Sequence, residues 1–382
     1  MHNKIDNRYP SIEHLRKRAV KKTPKFAFDY LKGGCLNENG LQRNIDDINK
    51  VRLQPQYIKE FSESNLSVEI FGHTYDAPFG VAPVGLQGLM APNSPVILAK
   101  SAMRHNVPFI LSTVSSEKLE TIADITQGNA WYQLYNPTIK KYREDMIRRV
   151  KESGYKTLVV TVDVPTFGYR YNDMINGLSM PPKNSIQNFL QAVTCPLWGF
   201  KTLYHGVPTF QNLLPYLTGE LKHAPLAEFM NIMAMGKTDI EGLKEIRDLW
   251  DGNLVIKGVM CETDVKQCIQ LGADGVIVSN HGARQLDVAT GTLSPTKIIS
   301  DKYGDKIIVM TDSGYQTGSD IAVGVASGAK MCFVGRGYMY GVCALGARGG
   351  DQVSAILKTQ LKQVVDQLKC ENIADLSNHL YS

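Results

Sequence analysis

Eight short apolar runs recur along the chain, and each is followed by small or polar residues and then by a helical pattern. Each run is nearly continuous in apolar character, as is typical of strands buried on both faces of a parallel sheet. Eight strand–helix units in one chain predict an α/β fold, a (β/α)8 or TIM barrel, rather than an open doubly wound sheet with an extra domain. The runs lie at 79–83, 108–112, 131–134, 157–161, 254–257, 275–279, 307–311 and 331–334.

The helices between the runs carry their own start and stop signals. Thr238 and Glu241 predict a capping box ahead of apolar residues at helical spacing. Ser319 predicts the N-cap of a later helix. Gly272 and Gly328 predict helix ends, because glycine readily adopts the left-handed conformation that closes a helix.

Two parts of the chain lie outside these units, although we expect residues 1–382 to form a single barrel domain. Residues 1–75 precede the first run and contain a predicted helix around 26–31. Residues 172–237 form an insertion after the fourth strand that is far longer than an ordinary βα loop. The insertion is rich in Pro, Gly and large apolar residues, so it is either a lid with its own small core or a surface that touches a membrane or a partner.

Composition and charge exclude several classes of protein. The 382 residues are 43% hydrophobic and 21% charged, which excludes a disordered chain, a collagen-like chain and a small disulfide scaffold. The net charge of +5 is too small and too evenly spread to indicate a nucleic-acid partner. Seven scattered cysteines without a Cys-x-x-Cys pair indicate no metal site and suit a reducing compartment. The polar N-terminus does not resemble a signal peptide and no apolar run is long enough to span a membrane, so we expect a cytoplasmic location.

The residues that follow the runs are the candidates for an active site, because a barrel of this kind places its site at the carboxyl ends of its strands. Small residues after the first run would let a flat ligand approach the strand closely. The candidates at the eight strand ends are Val84, Gly85, Ser112, Gln133, Tyr135, Thr161, Asp163, Arg170, Lys257, Ser279, His281, Arg284, Asp312, Ser313, Gly314, Gly335 and Arg336.

The last two runs indicate a phosphate site. Gly314 follows the seventh run, and Gly335 and Arg336 follow the eighth. Backbone N–H groups in these loops of a barrel commonly face an anion, and the guanidinium of Arg336 would add a charged fork. We therefore expect a phosphate group at this side of the barrel mouth.

Five ionisable residues indicate the chemistry. Lys257 at a strand end either forms a Schiff base or holds positive charge beside an electron-accepting ring. His281 and Asp163 could form a general base and its orienting carboxylate. Arg170 and Arg284 suit a carboxylate substrate, because a guanidinium binds a carboxylate through two parallel hydrogen bonds.

These residues stand in motifs that resemble a known family. The sequence VSNHGARQLD at 278–287 is similar to the active-site signature of the FMN-dependent L-2-hydroxy acid dehydrogenases and oxidases. Within that family the chain most resembles the bacterial respiratory, quinone-linked branch that contains L-lactate and mandelate dehydrogenases. Supporting motifs are YQLY at 132–135, TVDVP at 161–165, YRYND at 169–173, QAVTCPLW at 191–198, VIKG at 255–258 and DSG at 312–314.

The resemblance implies FMN as the cofactor. Lys257 would sit beside the flavin ring and stabilise its anionic reduced form. The other flavin contacts that the resemblance implies are Pro83, Val84, Gly85, Ser112, Gln133, Thr161, Ser279, Asp312, Ser313, Gly314, Gly335 and Arg336.

The resemblance also implies a substrate site. Tyr30, Arg170 and Arg284 would bind the carboxylate of a small 2-hydroxy acid, and Tyr135 would bind its hydroxyl. Two departures from the family pattern stand out, and the one that bears on the cofactor is Gln316, which stands where relatives usually carry an arginine that binds the FMN phosphate. We therefore expect weaker retention of FMN. The other departure is the turn at Pro92–Pro95, where we expect only local effects.

The implied reaction is oxidation of an L-2-hydroxy acid, with L-lactate the leading candidate, to the 2-oxo acid. His281 would act as the base with Asp163 stabilising the imidazolium. Hydride would pass to flavin N5, or His281 would take the α-proton in a carbanion route. A quinone or another carrier would accept the electrons. Three alternatives remain open: an oxidase that makes hydrogen peroxide, a Schiff-base aldolase that uses Lys257, and a binding protein without cofactor.

The resemblance further implies partners for the whole molecule. We expect a homotetramer, because members of the family assemble in this way. We also expect peripheral contact between residues 188–235 and the inner face of the cell membrane, because the insertion contributes to membrane attachment in the respiratory branch.

Overall fold

The computed structural model describes residues 5–178 and 186–381. The chain begins with three helices and a short antiparallel hairpin. The helices are α1 (Ile12–Val20), α2 (Lys25–Lys32) and α3 (Asn39–Lys50), and the hairpin strands are β1 (Val68–Ile70) and β2 (His73–Tyr75). Helix α2 confirms the helix that the sequence predicts around 26–31.

Eight parallel strands form the centre of the molecule, and each of them falls within or overlaps one predicted apolar run. Their hydrogen-bonded order is β3-β10-β9-β8-β7-β6-β5-β4. The ring closes where the Val81 amide donates to the Pro108 carbonyl at 2.8 Å, beside a parallel bridge between Val81 and Phe109. The (β/α)8 barrel is therefore confirmed over the doubly wound alternative. The strands are β3 (Phe79–Val81), β4 (Ile110–Ser112), β5 (Trp131–Leu134), β6 (Thr157–Thr161), β7 (Asn253–Val259), β8 (Gly275–Val278), β9 (Ile308–Asp312) and β10 (Cys332–Val334).

Helices surround the barrel and fill the insertion. Those of the first half of the barrel are α4 (Gln87–Met90), α5 (Ser94–His105), α6 (Leu119–Thr126) and α7 (Lys140–Glu152). The insertion contributes α8 (Tyr171–Ile175), α9 (Ile186–Val193), α10 (Pro196–His205) and α11 (Leu226–Ala234). The second half adds α12 (Ile240–Leu249), α13 (Glu262–Leu271), α14 (Leu293–Tyr303), α15 (Gly318–Ala326), α16 (Arg336–Leu345) and α17 (Gly349–Gln367). Short 3-10 helices lie at Leu214–Tyr216, Gly219–His223, Gly346–Arg348 and Ile373–His379.

Two predicted helix N-caps are wrong. Helix α12 is capped by Asp239, whose carboxylate accepts a hydrogen bond from the Gly242 amide at 2.9 Å, because the charged side chain stands one residue closer to the helix than Thr238. Helix α15 is capped by Thr317, which forms a reciprocal capping box with Asp320. The predicted cap, Ser319, lies inside the helix.

The hairpin closes the lower end of the barrel, where the strands begin. Tyr75 on β2 accepts a hydrogen bond from the indole of Trp131 at 3.2 Å, and Phe71 in the turn packs on the same ring. Inside the barrel these residues join a separate cluster of buried strand residues such as Ile110 and Phe333. Because this end is filled by apolar side chains, a ligand cavity can form only towards the other end, where the strands finish.

The insertion consists of a packed half and an exposed half. In the packed half, Leu213, Phe229 and Met233 are buried and belong to the main core between barrel and helices, not to a separate core of their own. In the exposed half, helices α9 and α10 present a row of apolar side chains to solvent. They include Ile186, Phe189, Leu190, Val193, Leu197, Phe200, Leu203 and Tyr204, each at least 56% exposed. We call this row the apolar face.

Helix α2 supports the exposed half. The Gln191 side chain accepts a hydrogen bond from the Phe26 amide at 2.8 Å, and Phe26 packs edge-on against Trp198 with ring centroids 5.9 Å apart. The Trp198 indole in turn donates to the carbonyl of Leu89 at 3.1 Å. Over the ranges that the structure describes, none of the helices combines the length and the apolar character needed to cross a bilayer.

Candidate active site

A cavity of about 930 Å³ lies at the carboxyl ends of the barrel strands. Most of the predicted site residues line it, so residues that are up to 306 positions apart in sequence meet at one mouth. Asp163 and Ser279 do not line the cavity, because they stand behind His281 and Lys257. The predicted residues on the cavity wall are Tyr30, Pro83, Val84, Gly85, Ser112, Gln133, Tyr135, Thr161, Arg170, Lys257, His281, Arg284, Asp312, Ser313, Gly314, Gly335 and Arg336.

His281 and Asp163 form the expected pair. The Nδ1 atom of His281 lies 2.8 Å from a carboxylate oxygen of Asp163, so Nε2 is left to face the cavity. The backbone of His281 is left-handed, with φ 58°, and its amide donates to the Ser279 hydroxyl at 3.0 Å. Burial alone would raise the pKa of Asp163, but His281 and the Lys257 ammonium outweigh burial and lower it. Asp163 is therefore an anion that fixes the orientation of the imidazole.

Lys257 is a buried cation held by two carboxylates. Its Nζ atom lies 3.1 Å from Asp312 and 4.0 Å from Asp163, and it donates to the Ser279 hydroxyl at 2.7 Å. Burial alone would lower the pKa of Lys257, but these two carboxylates raise it above its ordinary value. A Schiff-base lysine must lose its proton before it attacks a carbonyl, so this environment argues against the aldolase alternative.

The wall beside Lys257 offers unsatisfied polar atoms to a ligand. The Gln133 amide nitrogen and the Thr161 hydroxyl are buried and have no hydrogen-bond partner among the described residues, and the other Gln133 amide atom accepts from Ser112 at 2.9 Å. Buried polar atoms without partners are costly, so they indicate a ligand with matching donors and acceptors. On the opposite wall, a side chain on Gly85 would come within 2.7 Å of Val114. Position 85 therefore requires glycine, and the wall has no protruding side chain there. These residues fit a planar ring that bears carbonyl groups and ring nitrogens.

The predicted phosphate side of the mouth is lined by Gly314, Gln316, Gly335 and Arg336. A side chain on Gly335 would make ordinary van der Waals contact with Ala82 at 3.6 Å. Gln316 lines the cavity, and its backbone amide donates to Asp320 at 2.8 Å. The guanidinium of Arg336 makes three hydrogen bonds to backbone carbonyls, which are described below. Whether it also binds a phosphate stays a prediction.

Two arginines and one carboxylate form the remaining polar wall. Arg284 lies over the Tyr30 ring, 4.9 Å from its centroid, and Arg170 donates to Asp173 at 2.5 Å. Asp173 also lies 4.0 Å from Arg284. Burial, followed by the nearby Arg170, lowers the pKa of Arg284 to about 10, so both arginines stay charged at neutral pH. The cluster therefore keeps one uncompensated positive charge, which matches a single carboxylate on a ligand.

Sequence reasoning missed Asp173 and the apolar roof of the cavity. Asp173 ends the YRYND motif at 169–173, and its spacing of three residues from Arg170 on a helical turn is the signal for their contact. The roof comes from the packed half of the insertion, which carries no motif. It consists of Phe210, Leu214, Leu217, Leu226, Phe229 and Met230.

The barrel and this mouth define an enzyme that binds a planar, electron-accepting cofactor beside a fixed cation and an anionic substrate beside a histidine base. The profile of the family described as FMN-dependent dehydrogenase matches residues 19–382. The chain belongs to this family of FMN-dependent 2-hydroxy acid dehydrogenases and oxidases, and FMN is its cofactor.

Several relatives match nearly the whole chain. The (S)-mandelate dehydrogenase of Pseudomonas putida is 34% identical over 370 residues, which are 96% of this chain and 92% of the relative. An L-lactate dehydrogenase of Vibrio parahaemolyticus is 34% identical over 95% of this chain and 96% of its own. A crystal structure described as the monotopic membrane protein (S)-mandelate dehydrogenase superposes with a TM-score of 0.90 at 34% identity, covering 97% of this chain and 98% of that one.

Proposed function

We propose that this protein oxidises an L-2-hydroxy acid to the 2-oxo acid, with L-lactate as the leading substrate and pyruvate as the product. The observation that carries this proposal is the imidazole of His281, fixed by Asp163, on the wall of the cavity that Arg170 and Arg284 also line. A base and a carboxylate-binding pair in one cavity suit a molecule with a hydroxyl next to a carboxylate. The L-lactate dehydrogenases among the relatives support the choice of L-lactate.

The cavity wall supplies the cofactor site. When bound, FMN supplies the acceptor for the two electrons of the oxidation. Lys257 would keep a positive charge beside the ring, and Gly314 and Gly335, with the backbone of Arg336, would take the phosphate. Asp312 and Ser313 would hold the sugar-like chain of the cofactor. In this proposal the ring contacts would be Pro83, Val84, Gly85, Ser112, Gln133 and Thr161. The predicted contact of Ser279 is not direct, because this residue stands behind Lys257 and its hydroxyl accepts from the ammonium at 2.7 Å.

The substrate is held by its carboxylate and its hydroxyl. Arg170 and Arg284 bind the carboxylate together with Tyr30, and Tyr135 orients the hydroxyl. His281 takes the hydroxyl proton at Nε2, because Nδ1 is occupied by the hydrogen bond to Asp163. The protonated imidazole is then stabilised by the Asp163 anion 2.8 Å away.

The electron acceptor in this proposal is a quinone or another membrane carrier. The apolar face of α9 and α10 supports attachment to the inner surface of the cell membrane without a spanning helix, as does the relative described as monotopic. Burial of such side chains in the lipid interface gains free energy in proportion to their apolar area. We also propose a homotetramer, which light scattering of the detergent-solubilised protein would test.

The test is an anaerobic absorbance spectrum of the FMN-loaded protein before and after addition of L-lactate. Bleaching of the flavin bands is expected, together with formation of one pyruvate per flavin. A bound flavin that is bleached by neither L-lactate nor a larger L-2-hydroxy acid would refute the proposal. Admission of air then separates the two kinds of enzyme, because rapid recovery of the bands with release of peroxide would identify an oxidase.

A further inference from the structure

Two arginines from different barrel loops bind the carboxyl end of helix α2. The last carbonyls of a helix have no partner within it and need donors from elsewhere. Arg336 donates to the carbonyls of Leu31 at 3.1 Å and Gly33 at 2.9 Å. Arg284 donates to the carbonyls of Tyr30 at 2.8 Å and, again, Gly33 at 2.9 Å. The carbonyl of Gly33 is therefore shared between the two guanidinium groups.

Arg336 makes a third hydrogen bond to the loop that carries the catalytic base. Its Nη2 atom donates to the carbonyl of Gly282 at 3.0 Å, directly after His281 in the chain. The approach is close, because a side chain built on Gly282 would come within 2.6 Å of the guanidinium. Gly282 has φ 62° and lies between two left-handed residues, His281 and Ala283, so the loop has an unusual backbone that needs support.

One guanidinium thus joins two parts of the substrate site that come from distant segments of the chain. Leu31 follows Tyr30, and Gly282 follows His281, so the bonds of Arg336 reach the immediate neighbours of both residues. Lysine could not replace Arg336, because its ammonium is a point charge. It lacks the planar guanidinium that donates hydrogen bonds to acceptors in two directions at once.

We propose that the Arg336 side chain is a positioning residue that holds Tyr30 and His281 in a fixed mutual arrangement, while only its backbone serves the cofactor phosphate. The inference rests on the proposed function for the roles of those two residues. It differs from the expectation drawn from sequence, in which the guanidinium itself binds the phosphate.

The variants Arg336→Lys and Arg336→Ala test this proposal in the FMN-saturated protein. The limiting rate of flavin bleaching by L-lactate should fall roughly 10- to 100-fold in both, since small displacements of reacting groups carry penalties of that order. Free guanidinium at millimolar concentration should restore part of the rate in Arg336→Ala and none in Arg336→Lys. The dissociation constant of FMN should stay that of the wild type.

Amide hydrogen exchange supplies a readout that does not depend on turnover. The segments around residues 30–36 and 280–286 should lose protection together in both variants. The matched control is Arg18→Gln, which removes an arginine that donates to the carbonyl of Ala344 at 2.9 Å outside the cavity. It should leave both segments and the rate unchanged.

Two results would overturn the inference. In the first, the variants bind FMN more weakly but keep the hydrogen exchange of the wild type and its limiting rate at saturating FMN. This result would assign the Arg336 side chain to the phosphate. The other is loss of protection in only one of the two segments. If the wild type itself oxidises no 2-hydroxy acid, the proposed function fails, whereas joint loss of protection would still support the link between the segments.

Discussion

At the scale of single residues, we expect Asp163 to act through His281 rather than on the substrate. It lies behind the cavity wall, and its lowered pKa keeps it anionic beside the imidazole. We predict that Asp163→Asn lowers the rate of flavin bleaching by L-lactate about 100-fold or more, the lower range of what a positioned base contributes. Stopped-flow absorbance at saturating FMN measures this rate. An undiminished rate in a variant with wild-type thermal stability would contradict the role of Asp163.

Gln316 stands where the family resemblance implies an arginine that binds the FMN phosphate. A neutral side chain on the phosphate side of the cavity forgoes one charge-assisted hydrogen bond, worth about 1.5–3 kcal/mol. We predict that Gln316→Arg tightens FMN binding roughly 10- to 100-fold. Fluorescence quenching during titration of apoprotein with FMN measures the dissociation constant. Equal constants for the two proteins would show that position 316 does not reach the phosphate.

The candidate site could be predicted from sequence wherever a functional side chain lies at or just beyond the end of a strand. Asp312 is the last residue of β9 and Lys257 lies two residues before the end of β7, so the strand pattern alone places both at the mouth. Asp173 could not be found in this way, because its role depends on the fold of the insertion. The hydrogen bonds from Arg336 to the end of α2 could not be predicted from sequence either, since they join residues 303 or more positions apart.

At the scale of elements, strands were easier to predict than helix ends. A strand buried on both faces must be apolar throughout, and this leaves a clear mark in the sequence. A helix N-cap depends on which of several neighbouring polar side chains reaches the free amides. In helix α12 the free amide of Gly242 donates to Asp239 and not to Thr238. In helix α15 the amide of Asp320 donates to Thr317, and Ser319 lies inside the helix.

Helices α5 and α17 are joined by a carboxylate whose titration should be visible in the stability of the protein. Asp351 lies 2.8 Å from Arg104 and 3.4 Å from His105. Burial alone would raise the pKa of Asp351, but the nearby His105, Arg104 and Ser101 outweigh burial and lower it to about 2, with Arg104 donating directly to the carboxylate. Because the folded-state pKa lies below the unfolded value, the stabilisation is present above about pH 4 and is lost as the pH falls towards 2.

We predict that Asp351→Asn lowers the free energy of unfolding by about 2 kcal/mol at pH 7, and that the difference from wild type shrinks as the pH falls below 4. Urea denaturation at a series of pH values measures both. Asp301→Asn is the matched control, because its carboxylate is exposed and pairs only with Lys297 on α14 in the described part of the chain. A difference that stays constant down to pH 3 would contradict the assignment.

At the scale of the whole molecule, the apolar face is the surface that would contact the membrane in the proposed function. Its side chains are exposed, whereas Leu213, Phe229 and Met233 in the adjoining half are buried in the main core. The expected lid with a core of its own is therefore not what the described residues form, and the membrane-facing surface stays a proposal for the exposed half. Sequence alone left the two interpretations of the insertion open, because both halves are equally rich in large apolar residues. Only the packing against the barrel separates them.

We predict that the double variant Phe189→Glu, Leu203→Glu moves the protein from the vesicle-bound to the free fraction in sedimentation with liposomes. Each charge would have to enter the lipid interface, which opposes binding. Ile58→Glu is the matched control, since Ile58 is fully exposed on another surface. The double variant should keep its rate of flavin bleaching, because neither residue lines the cavity. Unchanged sedimentation would place the membrane contact elsewhere.

The left-handed backbone around His281 has a consequence for how far this protein can be stabilised. His281, Ala283 and Ser313 all have φ between 58° and 77°, and such conformations cost on the order of 1–3 kcal/mol each for residues other than glycine. That sum is a sizeable share of the roughly 5–15 kcal/mol by which proteins are stable. Selection for heat resistance alone would therefore favour glycine at these positions and erode catalysis, so thermostability and turnover are opposed at this loop.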